Sequence, residues 1–458
     1  MAVTTSSAYV HNPARYLAHS FAVRTLLFIS LHIPLAMILS RSGWVGLAHG
    51  GLVLLIGVRA ALRRQATTVL VVLGYIAGAE VLWRMTGARL LWEYGKYASL
   101  FIVSVALLVE WRVKERKRPF NPLFILYTVL LLPAAIPTMA QYGLSGARDP
   151  LSFNLSGHLA LVGLALYLWQ RSVTRAQLTK LSLAIAAPIV GITFLALYST
   201  LTAEVAFTLE SNFVTSGGFG PNQVSNILGL GALVGVLFIT LRPKSPGIRL
   251  MILLATFGFI VQGLLTFSRG GIFSFILAAL TFGFYLLPTS RARRRFAMLM
   301  VFAFVFGIFV LLPSLNTFTG GFLQLRFTDT DSTGRVEAMQ ADWQAFLDHP
   351  VVGTGIGLSV PYREALLGVD LAAHTEFTRM AAEHGFPGLL ALLLLLGILF
   401  QRFHSAAPGL HRALTAALIV WPMSVMVQNA MRFVAVSFVL SLAMVAWHLT
   451  EEGDEQHA

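Results

Sequence analysis

Apolar residues run along this chain in long blocks separated by short polar stretches. The blocks are 22–41, 43–62, 66–83, 97–111, 120–139, 155–170, 181–200, 223–241, 249–267, 271–288, 296–313, 384–401, 412–428 and 433–449. Most can cross about 30 Å of hydrocarbon at about 1.5 Å per residue. Hydrocarbon offers no partner to a bare peptide group, so such runs predict α-helices; barrel strands would be about half as long. The expectation is an all-α, polytopic integral membrane protein with about fourteen transmembrane helices, forming a single membrane domain over residues 1–458.

Composition supports this. Hydrophobic residues make up 56% of the chain and charged residues 12%, against about a quarter charged in a soluble domain. A soluble fold is excluded. The first 21 residues are polar and mixed, with no small-residue cleavage pattern after the first block, so the first helix is expected to serve as its own start-transfer segment. The absence of cysteine excludes disulfides, thiol nucleophiles and cysteine-based metal sites.

The net charge of +13 changes the picture through its distribution. With the N-terminus in the cytoplasm, 22 of the 33 cations fall on the inner side, including Arg59, Arg63 and Arg64, the run Arg112 to Arg118, and Arg291 to Arg295. Every alternate loop agrees, so both termini are expected on the cytoplasmic side of the membrane. Inner clusters need only topogenesis and anionic lipid to explain them, and no nucleic-acid partner. The outer cations lack that explanation: Arg41, Arg84, Arg89, Lys96, Arg148, Arg269, Arg326, Arg335, Arg363, Arg379 and Arg432.

Two outer connections are long, 201–222 and 314–383, and long loops in compact domains are commonly functional. In the second, Val336, Met339, Trp343, Phe346 and Leu347 recur at helical spacing and predict an amphipathic helix on the outer surface. The run from Asp348 to Gly357 follows, where proline and alternate glycines predict a tight, rigid turn. No internal repeat or separate soluble domain is evident.

Four outer segments carry candidate chemistry. Arg269, in Ser268-Arg269-Gly270-Gly271, has room beside it for an anion to approach the backbone, or is a snorkelling interfacial arginine. Arg335 is a second guanidinium just before the surface helix, or an ion-pair partner of Glu337 or Asp331. His374 is the nearby side chain whose ordinary pKa suits a general base, and Arg379 lies one turn beyond it as an orienting group or an interfacial anchor. Glu376 and Glu383 on the same segment are the next candidates for a base. Asn222, in Gly220-Pro221-Asn222-Gln223, is placed to cap a helix or contact a sugar. A further group, Glu80, Arg84, Arg89, Glu93 and Lys96, is read as a structural ion-pair set or as a cationic wall for a diphosphate.

The order Gly220-Pro221-Asn222-Gln223, Ser268-Arg269-Gly270, Gly334-Arg335 with Trp343, His349-Pro350 to Gly355, then His374 with Gly385 and Gly388, resembles the O-antigen ligase and O-antigen polymerase superfamily. These motifs cover 217–388. The resemblance implies a membrane glycosyltransferase acting on an undecaprenyl-diphosphate-linked glycan at the outer, periplasmic face, with Arg269 and Arg335 binding the diphosphate and His374 catalytic. Ligases usually carry Asn, Ser or Gln where this chain has Thr375, and some polymerases carry a pair of large arginine-rich outer loops that it lacks. The expected function is a polysaccharide repeat-unit polymerase, with ligation to lipid A core as the alternative and a flippase or transporter as the competing class. The expected partners are the lipid-linked donor, a glycan or lipid A core acceptor, and membrane lipid. No cofactor or metal is expected, and direct displacement would invert the anomeric centre.

Overall fold

The computed structural model describes residues 13–113, 119–240, 245–286, 297–298, 301–302, 304–329, 334–368 and 375–449. Among these, 12 helices are long and apolar enough to cross a membrane, or up to 13 with the pair Phe304–Phe318 and Phe322–Thr328, bent by 115°. The protein is an all-α polytopic membrane protein.

The helices are α1 (Pro13–Ser30), α2 (His32–Arg41), α3 (Gly43–Leu62), α4 (Ala66–Met85), α5 (Tyr94–Arg112), α6 (Leu123–Leu131), α7 (Ala135–Gly146), α8 (Arg148–Leu168), α9 (Arg175–Thr202), α10 (Pro221–Thr240), α11 (Pro246–Leu265) and α12 (Arg269–Leu286). They are followed by α13 (Leu312–Phe318), α14 (Phe322–Thr328), α15 (Arg335–Asp348), α16 (Ser359–Leu367), α17 (Glu376–Ser405), α18 (Leu410–Asn429) and α19 (Val434–Leu442). α4, α9 and α10 are buried around most of their circumference and form the centre. The second half of α17 turns Leu390, Leu393, Leu396 and Phe400 outward, the arrangement lipid contact allows.

Polar side chains inside the bundle satisfy one another. Trp83 Nε1–H donates to His49 Nδ1 at 2.9 Å, so neutral His49 carries its proton on Nε2, 3.0 Å from the Tyr75 hydroxyl. That hydroxyl lies 3.0 Å from His32 Nε2, and His32 Nδ1 lies 2.8 Å from the Phe28 carbonyl. A single direction of donation satisfies the whole chain and ties α2, α3 and α4 together.

The final apolar block differs from a simple span. Every residue of α19 is buried, and a helix apolar on all sides belongs in a core. It stops after nine residues, about 14 Å, and passes through a turn into strand β2 (Ala446–His448). β2 pairs in parallel with β1 (Ser172–Thr174), so the backbone at this end is satisfied by a two-stranded ladder.

The predicted surface helix forms as α15, with its faces the other way round from a helix that buries its large apolar stripe. Ala338, Ala341, Asp342, Ala345 and Phe346 face the protein, while Val336, Met339, Trp343 and Leu347 are exposed. Small residues allow α15 to lie close on α17. Asp342 accepts a buried charge-assisted bond from Arg363 of α16 and a 2.9 Å bond from the Thr378 hydroxyl of α17. Three helices are thereby clamped at one carboxylate.

Candidate active site

α17 is helical on both sides of a break at Gly385, whose φ and ψ are +62° and −144°. The break frees carbonyls that the run 349–357 then satisfies. Thr354 N–H donates to Ala382 O at 2.8 Å and Gly355 N–H to Glu383 O at 3.2 Å, while Phe386 N–H donates to Pro350 O at 2.8 Å. Gly353 has φ +72°, and a Cβ there would run into the Glu383 main chain. Only glycine meets both demands. The result is the rigid turn anticipated from Asp348 to Gly357, docked against the α17 segment that carries Arg379 and Glu383.

Arg269 is the first residue of α12 and Arg335 the first of α15. Arg269 donates to the Asp329 carbonyl. Arg335 Nε is buried without a hydrogen-bond partner. Burial, and then repulsion from Arg269, push the Arg335 guanidinium below its ordinary range. Two guanidiniums at helix N-termini, one with a buried unpaired donor, make a place suited to an anion.

The approach to Arg269 is strained and braced. Phe267 is fully buried at φ +58°, a conformation bulky residues rarely adopt. Arg326 Nε donates to its carbonyl at 3.1 Å. Ser268 donates to Asn222 Oδ1 at 2.8 Å and accepts at its carbonyl from Ser225 Oγ at 2.8 Å, fixing α12 to α10. The glycines beside Arg269 do not open the backbone to a ligand. A Cβ at Gly270 would meet the Gln428 amide and one at Gly271 the Ser225 carbonyl, so both residues serve close helix packing.

Arg84 and Lys96 are both ion-paired. Arg84 pairs with Glu80 at 2.8 Å and also donates to Gln223 Oε1 at 2.9 Å, to the Arg432 carbonyl at 2.9 Å and to the Trp92 carbonyl at 2.8 Å. Lys96 Nζ lies 2.5 Å from Glu93 Oε2, both buried. Glu80 Oε2 also accepts from Val434 N–H at 2.5 Å. Arg89 is exposed and stacks over Trp44 at 4.4 Å.

A cavity of about 580 Å³ opens beside this ion-pair set, lined by Trp92, Glu93, Asp149, Phe153, Asn154, Arg379 and Arg432 among others. Behind it lies a buried network. Arg379 donates to Glu376, to Glu383 Oε2 at 2.7 Å and to Asn154 Oδ1 at 3.1 Å. His158 Nε2 lies 2.7 Å from Glu376 Oε1 and its Nδ1 lies 2.7 Å from the Tyr127 hydroxyl. An ionised Glu376 only accepts, so His158 carries its proton on Nε2 and Tyr127 donates to Nδ1. Glu376 Oε2 accepts from Met431 N–H at 3.1 Å, and Glu383 Oε1 from Ser359 Oγ at 2.7 Å. Neither carboxylate has an oxygen without a partner.

The structure thus brings Arg269, Arg335 and Asn222 into one neighbourhood and Arg379 into another, with Arg84 bridging through Gln223 and Arg432. His374 lies outside the described residues; the helix it precedes is capped by Thr375 Oγ1, which accepts from Phe377 N–H at 3.3 Å. Sequence reasoning passed over His158, Asn154 and Asp149. His158 had a signal, being an ionisable group within an apolar block. Asn154 and Asp149 had none, because only folding sets them opposite Arg379.

Residues 252–393 match the O-antigen ligase family model. The rest of the chain lies outside the match; this segment is similar to the O-antigen ligase family. It contains both α12 and α15 with Arg269 and Arg335, as well as the rigid turn and the first half of α17. The protein is therefore a multi-pass membrane protein that carries a segment similar to the O-antigen ligase family. No curated protein matches the chain.

Proposed function

We propose that the protein is a repeat-unit polymerase, transferring a glycan from an undecaprenyl-diphosphate donor to a sugar hydroxyl on the outer face of the bacterial inner membrane. The observation that carries this reading is Arg335 Nε, buried and unpaired in a guanidinium close enough to Arg269 to feel its charge. A diphosphate supplies the acceptor that Arg335 Nε lacks, and guanidinium geometry suits it without a metal ion. Charge grows on the leaving diphosphate as the glycosidic bond breaks, and fixed guanidiniums stabilise that charge as it develops. His374 takes the proton of the attacking hydroxyl, and attack opposite the leaving group inverts the anomeric centre.

Ligation to lipid A core would use the same groups. The test is purified protein given lipid-linked repeat unit, with and without lipid A core, in the presence of EDTA. A ladder of lengthened lipid-linked glycan supports the polymerase reading. Modified lipid A core without a ladder replaces it with the ligase, and activity lost to EDTA and restored by magnesium overturns the metal-independent mechanism.

A further inference from the structure

The 580 Å³ cavity beside Arg379 lies apart from the arginine pair in chemistry as well as in lining. Its size falls in the range of ligand pockets, roughly 300–1,000 Å³. Neither Arg269 nor Arg335 lines it. Its charged lining is Glu93, Asp149 and Glu383 against Arg379 and Arg432, so acids outnumber cations. A diphosphate would meet net repulsion there.

Two buried polar atoms on lining residues have no partner in the protein: Arg379 Nε, a donor, and Glu93 Oε1, an acceptor. Both side chains are more than nine-tenths buried, and an unmade bond at such a depth costs about 1–3 kcal/mol. The lining itself sets donors (Arg379, Arg432, Ser152, Asn154) beside acceptors (Glu93, Asp149, Asn154), the mixture that a ligand bearing several hydroxyls requires. Trp92 and Phe153 supply partly exposed aromatic surface at the rim, each backed by a guanidinium, Arg84 at 4.8 Å and Arg432 at 4.5 Å. Aromatic faces beside mixed carboxylate, amide and guanidinium groups suit the apolar face and hydroxyl edge of a sugar ring.

From this geometry we infer that the cavity lined by Trp92, Glu93, Phe153, Asn154 and Arg379 is a glycan subsite that seats the acceptor sugar, separate from the diphosphate site at Arg269 and Arg335. The assignment rests on the glycosyltransferase reading. It also gives Arg84 a purpose: through Gln223, whose neighbour Asn222 accepts from Ser268, Arg84 fixes the spacing between cavity and arginine pair.

The chain contains no cysteine, so Ser152→Cys places a single thiol in the cavity lining. With full-length protein in detergent, the rate of reaction of that thiol with a water-soluble maleimide is measured. The probes are undecaprenyl diphosphate and the repeat-unit oligosaccharide freed from its lipid by mild acid. The oligosaccharide should protect the thiol and undecaprenyl diphosphate should not. Direct binding should agree: Trp92→Ala and Asn154→Ala weaken the oligosaccharide by roughly tenfold, the loss of about one bond or stacking contact, and leave undecaprenyl diphosphate within about twofold. Arg335→Ala should do the reverse. Melting temperatures identify any variant that misfolds, and the protection assay does not depend on those substitutions. Oligosaccharide that fails to protect the thiol, or that binds the folded Trp92→Ala variant as it binds the parent, overturns the subsite. Protection by undecaprenyl diphosphate alone assigns the cavity to the lipid carrier and overturns it equally. Loss of undecaprenyl diphosphate binding in the parent would instead strike the diphosphate reading and leave the cavity result to stand by itself.

Discussion

Arg335, at the start of α15, lies within the field of Arg269, at the start of α12, and the like charge is unfavourable to it. An arrangement that repels itself is stabilised by whatever anion binds between its members. Inorganic pyrophosphate should therefore raise the melting temperature of the purified protein. Arg335→Ala should abolish that rise and weaken undecaprenyl diphosphate by about 10- to 100-fold, the worth of a hydrogen bond to a charged group, without lowering the melting point of the unliganded protein. A marked drop in that melting point would mean the guanidinium is a structural anchor.

Arginine and lysine separate geometry from charge at Arg269. Arg269→Lys keeps the charge and loses the two-pronged donor. Weaker donor binding together with slower turnover is expected. Slower turnover at unchanged donor affinity would remove Arg269 from the diphosphate site.

A general base acts only as the proton moves, so His374→Ala should leave donor affinity near that of the parent while cutting turnover by about 100- to 10,000-fold. Glu376 and Glu383 make poor substitutes, because each carboxylate already accepts at both oxygens. Near-normal turnover in stable His374→Ala protein would end the assignment.

Gly353→Ala tests the turn that braces α17. The new methyl group meets the Glu383 main chain at a φ that L residues avoid, a strain on the order of 1–3 kcal/mol before any clash is counted. A lower melting temperature is expected, with reduced turnover as Arg379 and Glu383 shift. Unchanged melting would show that the turn is looser than its bonds imply.

Orientation is open to direct labelling. Single cysteines in Phe219→Cys and Asp370→Cys variants should react with a membrane-impermeant maleimide in spheroplasts, and one in Arg293→Cys should not. The opposite pattern would put every proposed site residue on the wrong side.

The all-α membrane class was legible in the apolar blocks because lipid leaves the backbone no choice but to satisfy itself locally. Arg269 and Arg335 were legible as cations outside the inner clusters, and the glycines from 353 to 357 as turn chemistry. The structure decided what distance along the chain conceals. α19 reads as one more span by hydrophobicity alone, yet burial on every side and pairing of β2 with β1 make it a short core helix. Gly270 and Gly271 read as access for a ligand and prove to be contacts with Gln428 and Ser225. The sequence by itself determined that the chain is helical and built for lipid, since that depends on the solvent its long apolar segments can tolerate. Which charges meet was left to tertiary structure: Arg379 finds Asn154 across 225 positions and Arg84 finds the Arg432 carbonyl across 348. A side chain's composition carries no record of a partner that only packing brings within hydrogen-bonding reach.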